Sequence, residues 1–140
     1  MKLVLQNQTF EINISYRTAY THLPEKFGIR LLQMFVDEEA GEKLLKELLL
    51  DDEKCLGLFW FFVEPQFEGK TFDDFLDIVQ TGDLDKFRQT FWEEVANFSG
   101  PLKRNLVMQL WEMLQRELKE IDLKPEISTE SSSSTPSEQV

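Results

Sequence analysis

The chain is 140 residues and 16.5 kDa, one domain's worth of protein, with 26 acidic against 15 basic side chains and a formal charge of -11. So acidic a surface repels phosphate backbones and anionic lipid, which sets nucleic acids and membrane surfaces aside as partners. The longest apolar run, Leu56 to Val63, is far short of the about 20 residues of a membrane-crossing helix, and Lys2 to Gln8 form no secretory h-region, so a cytoplasmic, unsecreted protein is expected.

The first fourteen residues alone alternate with a strand's period. Leu3 and Leu5, then Phe10, Ile12 and Ile14, predict a hairpin whose apolar face must lie on helices, because an isolated hairpin is marginal in water. Its turn, among Gln6-Asn7-Gln8, lacks the strong Asn-Gly signal.

From Ser15 the period becomes helical. Ser15 is an N-cap candidate, Tyr16, Ala19, Tyr20 and Leu23 fall on one face, and Gly28 is a C-cap. Pro24 removes a donor and crowds the preceding turn, which predicts a break or kink near Leu23. A second stretch runs from about Ile29 to Leu50 with a restart at Asp37 and a weak point at Gly41. Asp51 or Asp52 caps the next helix, whose Leu56, Leu58, Phe59, Trp60, Phe61, Phe62 and Val63 are apolar in nearly every direction, as befits the centre of a bundle or a partner-facing helix. It stops before Pro65, and residues 66–70 form a loop.

Thr71 with Asp74 resembles a capping box, and Phe72, Phe75, Leu76 and Val79 mark a buried stripe closed by Gly82. Asp83 caps a helix on which Leu84, Phe87, Phe91, Val95 and Phe98 share a face. Ser99-Gly100-Pro101 stops and restarts the chain, with Pro101 in the first turn of a last helix carrying Leu102, Leu106, Leu110, Met113, Leu114, Leu118 and Ile121. These elements predict a mostly α fold: a small bundle of about five to six helices with a short N-terminal β-hairpin, one domain over 1–127. Residues 128–140, rich in serine and free of aromatics, cannot offset their ordering entropy and predict a disordered tail.

Little here points to catalysis. His22 stands alone beside a proline and far from Cys55, which lies in an apolar helix, and the two make no zinc set. The acidic pairs at Asp37-Glu38-Glu39, Asp51-Asp52-Glu53, Asp73-Asp74 and Glu93-Glu94 sit at helix starts or polar faces, where capping and solvation explain them. Asp83-Leu84-Asp85 does not continue as a calcium loop, and no glycine-rich phosphate loop exists. No catalytic residue, cofactor or metal is therefore expected. The informative excess is aromatic: 12 Phe, 3 Trp and 2 Tyr, with Phe59, Trp60, Phe61, Phe62, Phe67 and Phe72 within fourteen residues. These rings are either a phenylalanine-rich core or a docking patch, and Phe59, Trp60, Phe62, Phe67 and Phe72 are the candidate partner-binding residues.

The order of elements resembles the tail assembly chaperones of long-tailed bacteriophages and prophages. The resemblance rests on the hairpin at 2–14, Lys26-Phe27-Gly28-Ile29, the apolar helix before a loop at 56–64, the Thr71-Phe72-Asp73-Asp74-Phe75-Leu76 opening and the acidic, aromatic helix from Phe87 to Gly100, and it covers roughly residues 1–121. It implies a small, acidic, non-enzymatic protein of the bacterial host's cytoplasm that keeps the tape-measure protein soluble while tail-tube subunits assemble around it. Such proteins often occur also in a longer, frameshifted form, for which the serine-rich tail would suit a linker. Tail-tube subunits and further copies of the chain are additional candidate partners. A different class also fits the charge: an acidic inhibitor or immunity-type protein that masks a basic partner surface.

Overall fold

The computed structural model describes residues 1–34 and 36–128, so the expected tail lies outside the described residues from residue 129 onward. The alternating N-terminal residues form an antiparallel hairpin, β1 (Lys2–Leu5) and β2 (Gln8–Glu11), with Leu3 opposite Phe10 and Leu5 opposite Gln8. Gln6 and Asn7 form the two-residue turn, both at positive φ, 49° and 66°, as a type I′ turn requires.

Ser15 caps the next segment as expected, its hydroxyl accepting from the Thr18 N–H at 3.1 Å. Pro24 does not break the chain. A π-helical turn at Thr18–His22 leads directly into α1 (Leu23–Phe27), with Pro24 in its first turn. The wider turn passes the Leu23 N–H to Thr18 O and makes room for a proline ring that a regular α-helix would crowd. Gly28 ends α1 in the left-handed region at φ 69°, with Gly28 N–H bonded to Pro24 O and Ile29 N–H to Leu23 O, both at 3.1 Å. Gly28→Ala is expected to cost about 1–2 kcal/mol from this backbone conformation alone, since the site has open space for a methyl group; thermal melting would register the loss.

After a 3-10 turn at Leu31–Gln33 the chain restarts at Asp37, whose carboxylate accepts from Glu39 N–H at 3.0 Å and opens α2 (Glu38–Leu50). Gly41 has a packing reason: a Cβ there would come within 2.9 Å of Met34 Cγ. Asp51 caps α3 (Asp52–Val63) by accepting from Lys54 N–H at 3.0 Å. A 3-10 turn at Glu64–Gln66 follows, then α4 (Phe72–Ile78), opened by the expected Thr71–Asp74 capping box. The Thr71 N–H, and after it the Thr71 hydroxyl, hold the Asp74 carboxyl below its ordinary value, so this cap persists until pH falls through that lowered range.

Four expectations in the C-terminal half are corrected. Helix α5 (Thr81–Ser99) starts two residues before Asp83, so Gly82 lies in its first turn and does not close α4; Asp83 reaches back to accept from Gln80 N–H at 3.0 Å. On α4 only Phe75 is buried, whereas Phe72 and Leu76 are exposed. Pro101 sits in a turn, and α6 (Arg104–Ser128) begins after it. Of the apolar stripe expected on that helix, Leu114 is buried, but its other described members do not form the buried face with it. Leu102, Leu106 and Met113 are exposed, while Val107, Trp111 and Leu114, spaced by four and three, are buried. The Trp92 indole N–H donates to Val107 O at 2.7 Å, which turns that side of the helix inward at its start.

The chain divides into two compact units, Met1–Met108 and Gln109–Val140, the second described as far as Ser128. In the first, α3 packs against α2, α5 and β2, and β1 packs against α5, so the hairpin's apolar face is covered by helices. Leu3, Leu5, Phe10, Ile12 and Ile14 are all buried there. Gln66 locks this arrangement: its side-chain amide accepts from Glu11 N–H at 2.7 Å and donates to Glu11 O at 2.9 Å and Phe62 O at 3.0 Å, pairing with β2 much as a neighbouring strand would. Mostly α, with six helices among the described residues and a short N-terminal hairpin, is the fold the sequence predicts.

Candidate functional site

Helical periodicity decides the fate of the aromatic cluster. On α3 the buried residues are Cys55, Leu58, Phe59, Phe62 and Val63, the i, i+3, i+4, i+7, i+8 stripe of a core-facing helix. Phe59 stacks on Phe87 of α5 with ring centroids 4.5 Å apart and planes 5° from parallel, and meets Phe75 of α4 edge-on at 5.0 Å. Phe62 reaches Phe91 at 5.9 Å, and Phe67 meets Phe10 of β2 edge-on at 5.5 Å. Phe59, Phe62 and Phe67 are therefore core residues that tie α3 and its following loop to α4, α5 and the hairpin. Of the two readings open for the five rings, core or docking patch, these three take the core one: their side chains are buried in this fold.

Two of the five remain at the surface. Trp60 is half-buried, with Phe72 at 5.9 Å and Phe75 at 5.5 Å, and Phe72 is 39% exposed. Leu76, four residues along α4 from Phe72 and equally exposed, extends the strip, which runs beside Asp73 and Asp77 on a helix too short to bury its outer face.

His22 and Cys55, the side chains with nucleophilic or metal-binding chemistry, have structural surroundings. His22 is half-buried with its ring 6.0 Å from that of Phe61. Among the described residues no three His, Cys, Asp or Glu side chains come together in a metal-holding group. Cys55 is buried at the α2–α3 corner, where desolvation pushes its thiol up from 9.0 to about 12, against the pull of the nearby Arg88 guanidinium. An unfolded chain loses this proton above about pH 9 and the folded one only near 12. The neutral thiol's contribution to stability is thus complete below 9 and is lost as pH rises from 9 to 12. Iodoacetamide at pH 8 is expected to leave Cys55 unmodified in the folded protein and to alkylate it promptly in denaturant; equal rates in both would contradict this burial.

Sequence reasoning missed Arg88. Its side chain is buried at the junction of three helices, donating through Nε to Leu48 O of α2 at 2.8 Å, through one terminal nitrogen to Asp85 at 2.7 Å and through the other to Asp52 of α3. The available signal was a lone arginine between Phe87 and Phe91 on an otherwise apolar face. The exposure of Tyr16 and Tyr20 was missed as well. Ala19 and Leu23 of their expected common face point inward, and both tyrosines point to solvent.

Comparison with known proteins finds no match among family models, curated proteins or solved structures. Among the described residues no helix is long and apolar enough to cross a membrane.

Proposed function

We propose that the chain is a non-enzymatic tail assembly chaperone of a phage or prophage, which binds the tape-measure protein in the host cytoplasm while the tail forms. The observation that supports this reading is the Trp60–Phe72–Leu76 strip beside Asp73 and Asp77, on a chain of net charge -11. A long apolar helical client is kept from aggregating by a partner that offers a few aromatic and aliphatic anchors within a like-charged, self-repelling frame. The order of elements that resembles the chaperone family supplies the identity of the client.

Co-expression with the tape-measure reading frame from the same gene neighbourhood tests the proposal. The client is expected to become soluble and to co-purify, and Phe72→Ser with Leu76→Ser is expected to abolish both while the chain's helical circular dichroism persists. A client that gains no solubility and does not co-purify sinks the idea. Binding that collapses with added salt would favour the acidic inhibitor, whose complex rests on ion pairs; anchoring by aromatic side chains survives salt.

A further inference from the structure

The Trp60–Phe72–Leu76 strip has two unlike flanks. Phe72 and Leu76 stand one turn apart on α4, and at about 100° per residue the next positions round the helix are Asp73 and Asp77, followed by Asp74. Phe75, buried, and Ile78, half-buried, complete the circle on the inner side. An exposed apolar ridge therefore runs parallel to an exposed acidic one. Trp60 of α3 walls the apolar ridge on the side away from the carboxylates, its ring 5.9 Å from Phe72 and 5.5 Å from Phe75.

The acidic ridge is open to a partner. Among the described residues neither Asp73 nor Asp77 forms an ion pair, and both are exposed, whereas Asp74 beside them is occupied by the Thr71 capping box. The surrounding charge has the same sign: residues 64–80 hold five acids and one base, Lys70, within a chain of charge -11. Cations are drawn to this strip by both the local and the whole-molecule charge, and anions are repelled by both.

We infer that the strip is a docking site for an amphipathic helix of a partner protein, one whose apolar stripe is edged along one side by Lys or Arg. The inference rests on the reading of this strip as the client-binding surface and adds the sequence pattern that the client must carry there. Apolar residues at helical spacing on the partner seat against Phe72, Leu76 and Trp60, and basic residues on the neighbouring positions face Asp73 and Asp77. Charge complementarity selects this occupant. A second copy of the chain would bring a surface of the same charge against these carboxylates, and a nucleic acid or an anionic bilayer would be repelled by both fields. Because the carboxylates are exposed, the ion pairs decide which helix is chosen while the rings hold it, and the complex outlasts moderate salt.

Fluorescence anisotropy of three labelled peptides of about 18 residues against the full chain tests it: one with a Leu stripe at helical spacing edged by Lys, and twins with Gln or Glu in place of every Lys. The Lys peptide is expected to bind at least about tenfold more tightly than the Glu twin, with the Gln twin between them. Asp73→Asn with Asp77→Asn is expected to bring the three within about threefold of one another, and Phe72→Ser to weaken all of them at least about tenfold. Glu25→Gln with Glu39→Gln removes the same charge from exposed positions on α1 and α2 and is expected to keep the spread. If the double aspartate variant loses helix, Asp77→Asn, outside the first turn of α4, decides alone. The inference is overturned if the Glu twin binds as well as the Lys peptide, if the control pair narrows the spread as much as the aspartate pair does, or if no peptide binds. It is overturned too if Phe72→Ser turns a dimeric parent chain into a monomer on gel filtration, which would make a second copy the occupant. Co-expression with the tape-measure reading frame separates this inference from the proposed function. A client that co-purifies equally with the parent and with the double aspartate variant overturns the inference and leaves the proposed function standing; a client that co-purifies with neither removes the proposed function, and the peptides still decide the inference.

Discussion

Phe59→Ala is expected to lower the free energy of unfolding by about 3–5 kcal/mol, the range for a large aromatic side chain removed from a packed core. Phe59 is fully buried, stacked on Phe87 and edge-on to Phe75, so its loss opens a cavity where three helices meet. Urea titration followed by circular dichroism gives the value directly. Phe72→Ala, on the exposed strip, is expected to stay within about 1 kcal/mol of the parent. The contrast is the sharp test of which rings are core. A Phe59→Ala protein as stable as Phe72→Ala would mean that the cluster on α3 is not packed as described. A double-mutant cycle over Phe59 and Phe87 should return a coupling of about 0.5–1.5 kcal/mol for the stacked pair.

Arg88→Ala is expected to cost about 2–4 kcal/mol, most of it from the interior side of the residue. The guanidinium satisfies Leu48 O, one of the last carbonyls of α2, which a helix end leaves without a regular partner. Removing the side chain strands that carbonyl and takes away the aliphatic stem that fills the corner between α2, α3 and α5. Its two acidic partners contribute less: the Asp52 and Asp85 side chains are 71% and 66% exposed, and water solvates them once the arginine is gone. Asp52→Asn and Asp85→Asn should therefore each cost less than Arg88→Ala. Arg88→Lys should fall between, because a single ammonium cannot reach three acceptors that a planar guanidinium spans. If both aspartate variants cost as much as Arg88→Ala, the ion pairs and not the carbonyl would be the source of the stability.

Much of the fold was legible because its signals are local. The hairpin followed from period-two alternation, the start of α2 from Asp37, that of α3 from Asp51 and that of α4 from the Thr71–Asp74 pair, since a cap is made within one turn of chain. Errors collected where two local rules competed or where a distant contact set the outcome. Pro24 signalled a break, yet a π-helical turn accommodated it. Gly82 signalled a helix end, yet Asp83 reached back and drew it into a new first turn. On α6 the buried face joins Leu114 of the expected stripe to Val107, whose carbonyl accepts from the Trp92 indole N–H, and to Trp111.

By itself, the sequence determined the mostly helical class, the hairpin, most of the caps, the acidity and the crowding of rings around residues 59–72. Whether a given ring is core or surface was decided by the tertiary structure. Burial depends on which neighbours a helix face meets, and α3 is apolar on so many sides that its own pattern does not single out one face. Packing against α4, α5 and the hairpin took Phe59, Phe62 and Phe67 inward, left Trp60 and Phe72 at the rim, and turned Tyr16 and Tyr20 outward on a segment that the sequence had treated as one more buried face.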